Sequence, residues 1–562
     1  MLVYSKSSKS VRDFFLRHET LIFMLLTALA GILIFAARSD FQPFVSQGDH
    51  GRDLYAFKRV LEAGAVPYRD FSWLFGPLML YYYAAFFKIL GVSIQSAIIA
   101  QNVLVILTGV FLYLTASRFM PAALAFICAL WYWAFRGTEF FYTYNHSGGL
   151  LCLVIMTFAL FRYLEEPRIR HVIAGFVAAF LFILIRPNMA VAVLAAWAVS
   201  LAMADIVNKS AFLRRNLRIY FYGSFLCVLL SGFLYWLYFR GLPDYVLWES
   251  FPITPQQRTD IALSFMGTIK YLGDLFLMIC NSSIKWPVAM ALLAIAAFAT
   301  IMRLVQKWGS ARQEIVKPIL TLVSLLILIG VTFHEFMLSG IFYRLFWALP
   351  LVLMTMFFLF GFATDGPRLK IVRGMLYLTL FLMAMTTINE ESRKIAALKT
   401  PLHMLQWGQT RVYTLQPAQW FGAVHSTCVY IDQNIPPGEK MFSLPFDTLY
   451  NFLTGHDQPT RQWTYFQHFI IPPEQDLATI RDLEREKTNW VLLSNRSISS
   501  EAGLGTFSLD YCHLLGAYIN KNYAVVAQFG WWTRRASWAW DHGVFIFKRK
   551  TPFSVETTAT AR

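Results

Sequence analysis

The sequence predicts a polytopic α-helical membrane protein that ends in a soluble α/β domain. Three observations carry this prediction. The 562 residues have a mean hydropathy of +0.49 and are 57% hydrophobic, far above a soluble globular chain. Apolar runs of span length recur up to about residue 388 and then stop. Basic residues collect in alternate connections between those runs, so the formal charge of +16 reads as a topology signal and not as a nucleic-acid surface. Nucleic acid is therefore not an expected partner, whereas the lipid bilayer is.

A crossing helix needs about 20 mostly apolar residues. Candidate spans lie near 20–37, 93–115, 119–136, 147–164, 171–185, 187–207, 219–239, 286–303, 318–334, 341–363 and 375–388, about eleven in all. The first is preceded by Lys6, Lys9, Arg12 and Arg17, and no small-residue cleavage site follows, so it reads as an uncleaved anchor. With the N-terminus in the cytoplasm, the inner connections carry Arg118; Arg162, Arg168 and Arg170; Lys209, Arg214, Arg215 and Arg218; Arg303, Lys307, Arg312 and Lys317; and Arg368, Lys370 and Arg373. The short outer connections carry little beyond Arg136 and Arg186. This asymmetry requires the short aromatic segment 78–90 to lie along the outer interface instead of crossing. Residues 40–91, 136–146, 240–285 and everything from Asn389 then face outward. The expected division is a membrane domain over 1–388, with the outer loop 40–91 carrying the site, and an outer domain over 389–562.

Beyond Asn389, short apolar runs (428–431, 441–444, 490–493, 523–529 and 544–547) alternate with helix-like stretches (447–453, 475–487 and 509–522). That alternation predicts a small α/β domain with a largely parallel sheet. Pro436-Pro437-Gly438 and Pro472-Pro473 mark its turns. Cys128, Cys152, Cys227 and Cys280 lie in or beside spans and read as core packing. Whether Cys428 and Cys512 pair in an oxidising compartment stays open.

The densest polar sequence follows the first span: Gly48-Asp49-His50-Gly51-Arg52-Asp53, then Val66-Pro67-Tyr68-Arg69-Asp70-Phe71 and Phe75-Gly76-Pro77. Charges crowded at a membrane surface are costly to desolvate and mark working sites. Asp49, Asp53 and Asp70 are interleaved with Arg52, Lys58, Arg59 and Arg69. If 53–63 is helical, Asp53, Phe57 and Val60 share a face that can lie on the membrane. Asp53 reads as an ion-pairing residue. Asp49 is well placed to cap the helix, but Gly48 and Gly51 flank it and allow close approach by a substrate, which favours a functional role. Asp70 stays open between the two.

These residues carry a resemblance. Asp49 followed by an amphipathic helix, then Gly64-x-x-Pro67-Tyr68-Arg69-Asp70-Phe71, then Gly76-Pro77-Leu78 and an aromatic helix ending in Leu90-Gly91, resembles the first outer loop of GT-C superfamily glycosyltransferases. The nearest branch is bacterial enzymes similar to the protein O-mannosyltransferases and the lipid A aminoarabinose transferases. Many relatives follow the first acidic residue with a second; here that position is His50. The segment from Phe446-Asp447 to Gly455, with Pro459-Thr460-Arg461, also resembles the soluble domains of such enzymes.

The resemblance implies an enzyme of the bacterial inner membrane with its C-terminal domain outside. It would transfer a sugar from a polyprenyl-phosphate donor to an acceptor hydroxyl on a lipid, glycan or protein, inverting the anomeric centre. Asp49 is the candidate general base. The leaving lipid phosphate needs fixed cations. Arg186, in Ile185-Arg186-Pro187-Asn188, is the first candidate and Arg344 the second, since a guanidinium matches phosphate geometry. Arg52, Arg69, Asp70, Asn188, Tyr343, His334 and Glu335 complete the candidate substrate-binding residues. His334-Glu335 stays open between orienting an acceptor, holding a metal and ordinary interfacial hydrogen bonding. The loop 136–146 is polar and aromatic enough to line a sugar pocket. Trp531, Trp532, Arg534, Arg535, Trp538 and Trp540 form an aromatic-basic patch suited to the lipid interface. No Walker loop, zinc spacing or dinucleotide fingerprint is present, and no cofactor is firmly indicated, although a divalent cation stays open.

Two rival classes make different demands. A lipid or glycan transporter or flippase should show two halves with matching interruptions, and none is visible. A non-catalytic envelope-assembly scaffold would tolerate loss of Asp49. Within transferases, a ligase or polymerase acting on polyprenyl diphosphate glycans stays open.

Overall fold

The computed structural model describes residues 4–43, 45, 48–135, 144–208, 210, 212–250, 267, 270, 273, 274, 285–310, 312–339, 342–465, 473–495, 507–532 and 542–553. Helices dominate as far as Leu398: α1 (Tyr4–Ala36), α2 (Gly48–Ala63), α3 (Leu78–Leu90), α4 (Ile94–Ala116), α5 (Ala122–Phe135), α6 (Tyr144–Glu165), α7 (Ile169–Ile183) and α8 (Pro187–Val207). They continue with α9 (Leu213–Phe239), α10 (Asp244–Ser250), α11 (Lys285–Ser310), α12 (Arg312–Thr332), α13 (His334–Ser339), α14 (Leu349–Ala363) and α15 (Lys370–Leu398). The tail runs β1 (Met404–Trp407), β2 (Thr410–Tyr413), α16 (Ala418–Asn434), β3 (Met441–Leu444), α17 (Leu449–Thr454), α18 (Pro473–Arg485), β4 (Trp490–Ser494), α19 (His513–Asn522), β5 (Tyr523–Gly530) and β6 (Gly543–Arg549).

Among the described residues seven helical stretches are long and apolar enough to cross a membrane: α1 from His18, α4, α6, α8, α9, Val316–Met337 through α12 and α13, and α15. The other expected spans correspond to the shorter apolar helices α5, α7, Ala291–Gln306 within α11, and α14. The aromatic segment expected at the interface forms α3, whose 13 residues fall short of a span.

The chain forms two compact units. One comprises Met1–Ser39, Gln101–Leu234 and Ile261–Ile395; the other comprises Asp40–Ala100, Tyr235–Asp260 and Ala396–Arg562. In the first, helices close on one another through small residues. A Cβ on Gly175 would sit 2.0 Å from the Trp197 ring, and the Trp197 indole donates to the Met156 carbonyl at 2.7 Å. Buried Asp205 on α8 accepts hydrogen bonds from Tyr163 (2.9 Å), Asn216 (2.9 Å) and Tyr220 (2.7 Å), tying α6 and α9 to α8. A carboxylate inside an apolar bundle is tolerated only when satisfied in this way.

In the second unit, α2 packs on α3. The Phe57 ring stacks on Tyr83 at 4.5 Å and meets Phe87 edge-on at 6.1 Å. The face of Asp53 and Phe57 is therefore buried in protein and is not the membrane-lying face the sequence suggested. Apolar spacing alone cannot separate a lipid-facing stripe from a core-facing one. The first outer loop is bound to the tail: Phe71 stacks on Trp463 at 4.7 Å, Ser72 N–H donates to the Arg461 carbonyl at 2.8 Å, and Arg461 returns a bond to the Tyr68 carbonyl at 3.1 Å.

The tail's main sheet has strand order β3-β4-β6-β5. Only β3 and β4 are parallel; β6 runs antiparallel to both neighbours. The expected largely parallel sheet is thus a mixed one. A parallel return needs a crossover connection of a dozen or more residues, whereas β5 and β6 pair antiparallel. A separate hairpin, β1–β2, turns at Gly408, whose φ of +53° suits glycine. The run 428–431, expected as a strand, lies inside α16. Its buried residues Trp420, Ala423, Val424, Thr427, Cys428 and Ile431 follow a helical period that the short apolar run conceals. Cys428 and Cys512 are both free thiols, as are Cys128, Cys152 and Cys227; Cys280 lies outside the described residues. Burial pushes the Cys428 and Cys512 thiols well above the usual range, which makes them inert.

Candidate functional site

The N-terminus of α2 presents a carboxylate on a rigid support. Asp49 stands in the first turn, 38% exposed, and the Arg52 guanidinium meets it at 2.8 Å. Arg52 itself is only 2% exposed. Its Nη2 and Nε also donate to Asp53 Oδ1, at 2.8 and 3.1 Å, and Asp53 is fully buried. The rings of Trp73, Phe75 and Phe446 surround the guanidinium at 5.5, 5.2 and 5.6 Å. Burial opposes the charge on Arg52, but the carboxylates of Asp53 and Asp49 outweigh it and hold the guanidinium ionised above its ordinary range. Of the three charged side chains that open α2, Asp49 alone reaches solvent; Arg52, itself held by Asp53, orients it, and His50 is buried in the same turn.

The two glycines have a different use from the one their spacing suggested. A Cβ on Gly48 would lie 2.1 Å from the Phe446 ring, and one on Gly51 would lie 2.8 Å from the Leu449 backbone nitrogen. They let α2 approach the start of α17, so the room the two glycines leave is filled by the tail. Gly51→Ala must displace backbone. It is expected to destabilise the protein by about 1–3 kcal/mol, read as a lowered melting temperature; an unchanged one would mean that α2 and α17 separate freely.

Arg69 and Asp70 lie apart from this cluster. Arg69 donates to Asp70 through Nε at 2.8 Å and Nη2 at 2.9 Å, and Asp70 accepts the Val66 N–H at 2.7 Å. The hydrogen bonds from Arg69 hold the Asp70 carboxyl below its usual range, against a smaller opposing effect of burial. The pair closes the 66–70 turn on an exposed surface.

A second charged group lies in the other unit. Arg186, at the N-cap of α8, donates to Glu335 Oε1 from Nε at 3.0 Å and from Nη2 at 2.7 Å. Asn188 Nδ2 reaches the same oxygen at 3.2 Å. Glu335 is 3% exposed and Arg186 13%. Arg344 and His146 lie within electrostatic range of Glu335. The His146 ring meets Phe346 and Trp347 edge-on at 5.3 and 5.5 Å. His334 places its Nδ1 2.7 Å from the Val331 carbonyl. Four residues singled out in the sequence (Arg186, Asn188, Glu335 and Arg344) are thus gathered from α8, α13 and the turn before α14. The side chain of Tyr343 lies outside the described residues, as do residues 136–143 of the suggested sugar-lining loop and 533–541 of the tryptophan-arginine patch.

The sequence did not reveal His146 as a member of the Glu335 group, nor the rings around Arg52. His146 opens α6 directly after a polar loop, the one available hint. Phe446 is about 400 residues from Arg52, a pairing that no local pattern encodes.

No protein-family model and no curated protein matches the sequence. Solved structures similar across most of the chain include an ArnT and an oligosaccharyltransferase. ArnT from Cupriavidus metallidurans in its apo state superposes with a TM-score of 0.56 at 13% identity, over 93% of this chain and 97% of that one. The oligosaccharyltransferase of Archaeoglobus fulgidus, in complex with zinc and sulfate, superposes with a TM-score of 0.51 at 12% identity, over 84% and 68%. The chain has the GT-C fold. Among the described residues, no three His, Cys, Asp or Glu side chains gather where they could hold a metal ion.

Proposed function

We propose that this protein is a membrane glycosyltransferase. It transfers a sugar from a polyprenyl-phosphate donor to an acceptor hydroxyl at the outer face of a bacterial inner membrane, with N-terminus inside and the tail outside. The observation that carries the reading is Asp49, an exposed carboxylate locked in place by a buried, doubly paired and ring-enclosed arginine. Such a rigid support is what a general base requires, because its oxygen must stay within hydrogen-bond reach of one proton. The GT-C fold supports the same reaction class.

In the proposed step the acceptor oxygen attacks the anomeric carbon opposite the lipid phosphate. The bond from that carbon to the phosphate oxygen breaks, the acceptor proton passes to Asp49, and the polyprenyl phosphate leaves with inversion. Arg52 is a positioning residue for Asp49. Arg186, with Arg344 second, is the proposed cation for the leaving phosphate, for which the phosphate must compete with Glu335. Asn188, His334, Tyr343, Arg69 and Asp70 remain proposed substrate contacts. No step is routed through a metal.

The test is transfer from a panel of polyprenyl-phosphate sugars by the full-length protein in lipid, with an envelope extract supplying the acceptor. Product from one or more donors, with an inverted linkage, is the expected result. No product from any donor would remove the transferase reading.

A further inference from the structure

The membrane unit holds a cavity that the proposed reaction does not use. It lies where the ends of α4, α6, α8 and α14 meet the first turns of α12, with a volume of about 210 Å³. The rings of Phe119, Phe161, Phe358 and Phe362 form a continuous wall: Phe119 lies 4.9 Å from Phe161 and 5.8 Å from Phe358, and Phe358 lies 5.9 Å from Phe362. The rim is charged. Arg118 and Lys317 both border it, with Glu165 the one carboxylate. Glu165 pairs with Arg162 at 3.0 Å and with Arg118 at 3.7 Å, and one carboxylate against Arg118, Arg162 and Lys317 leaves an excess of positive charge at the rim.

An apolar wall beneath a cationic rim, at the end of the bundle that carries the basic loops, matches an amphiphile with an anionic head. The volume is below the ~300–1,000 Å³ of pockets that enclose a whole drug-sized ligand. The occupant therefore places only part of itself inside and leaves the rest in the bilayer. Anionic heads are favoured beside basic residues at the membrane surface, and a zwitterionic head brings its own opposing charge. We propose that this cavity binds one anionic phospholipid, its phosphate on Arg118 and Lys317 and the head-proximal part of one chain against the four phenylalanines. The site is independent of the transferase reading.

The experiment is native mass spectrometry of the full-length protein, released from detergent in the presence of phosphatidylglycerol or phosphatidylcholine. The wild type is expected to retain one phosphatidylglycerol and no comparable phosphatidylcholine. Arg118→Gln with Lys317→Gln is expected to lower that occupancy about tenfold or more. The pair Arg368→Gln and Lys370→Gln, on another basic loop, leaves it unchanged. Thr321→Phe, which narrows the cavity without altering charge, should also lower it and serves if the double variant does not fold. Equal retention of both lipids, or undiminished retention by both cavity variants, would overturn the site. Preferential retention of a polyprenyl phosphate through the same residues would overturn the phospholipid assignment.

Discussion

Asp49→Asn is expected to lower sugar transfer by about two to four orders of magnitude, the usual worth of a positioned general base, while the protein melts within a few degrees of wild type. The two halves of this expectation rest on different features. Asparagine has nearly the size of aspartate and its oxygen still accepts from Arg52, whose contact to Asp49 is 2.8 Å. Asp49 is more than a third exposed, so the exchange buries no unsatisfied group. What is lost is the capacity to take a proton. Arg52→Ala should behave in the opposite way. It leaves Asp53 buried without the guanidinium that donates to it twice, and breaking a buried pair costs about 3–5 kcal/mol. Arg52→Ala thus loses fold and activity together, whereas Asp49→Asn separates them. Wild-type turnover by a folded Asp49→Asn would end the assignment of the base, whatever the fate of the enzyme class.

The expected spans recur as apolar helices, seven of them among the described residues long enough to cross and four shorter, because a bilayer selects apolar stretches whose backbone bonds are satisfied within the segment. Three tail helices, α17 to α19, and the four strands β3 to β6 were legible for the analogous reason, since a short domain must alternate its elements to bury a core. Strand direction was not. It depends on what joins β5 to β6, and the sequence between them does not announce an antiparallel return. The run 428–431 misled because four consecutive apolar residues fit a strand, and only the longer pattern from Trp420 to Ile431 shows a helix. The candidate site was legible one residue at a time. Asp49 and Arg186 stood out by the cost of charge near lipid. Their pairings did not: Glu335 stood out on its own but not as the partner of Arg186, and Phe446 reaches Arg52 from a segment remote in the chain. The glycines beside Asp49 illustrate the limit: glycine marks a close approach, but sequence does not say of what. Here Phe446 and Leu449 fill the space.

Arg186→Ala should cost about 3–5 kcal/mol, because it leaves Glu335, 3% exposed, without the guanidinium that donates to it at 2.7 and 3.0 Å. Arg186→Lys should recover part of that stability and little of the activity. An ammonium retains the charge but cannot reproduce two directed bonds from Nε and Nη2. Neither variant alone separates a structural role from a role at the phosphate, because both disturb the pair. The double variant Arg186→Met with Glu335→Leu does. Replacing a buried ion pair by apolar residues of similar volume is often neutral or stabilising, so melting should return to near the wild-type value. If Arg186 binds the leaving phosphate, this well-folded double variant still fails to transfer sugar, since the developing charge finds no cation in its place. If it transfers sugar at the wild-type rate, the Arg186–Glu335 pair is a strut between α8 and α13, and the phosphate-binding role passes to Arg344 or to another cation. Measured side by side in the same lipid, melting temperature and turnover therefore decide between a strut and a phosphate clamp without any donor having to be seen bound.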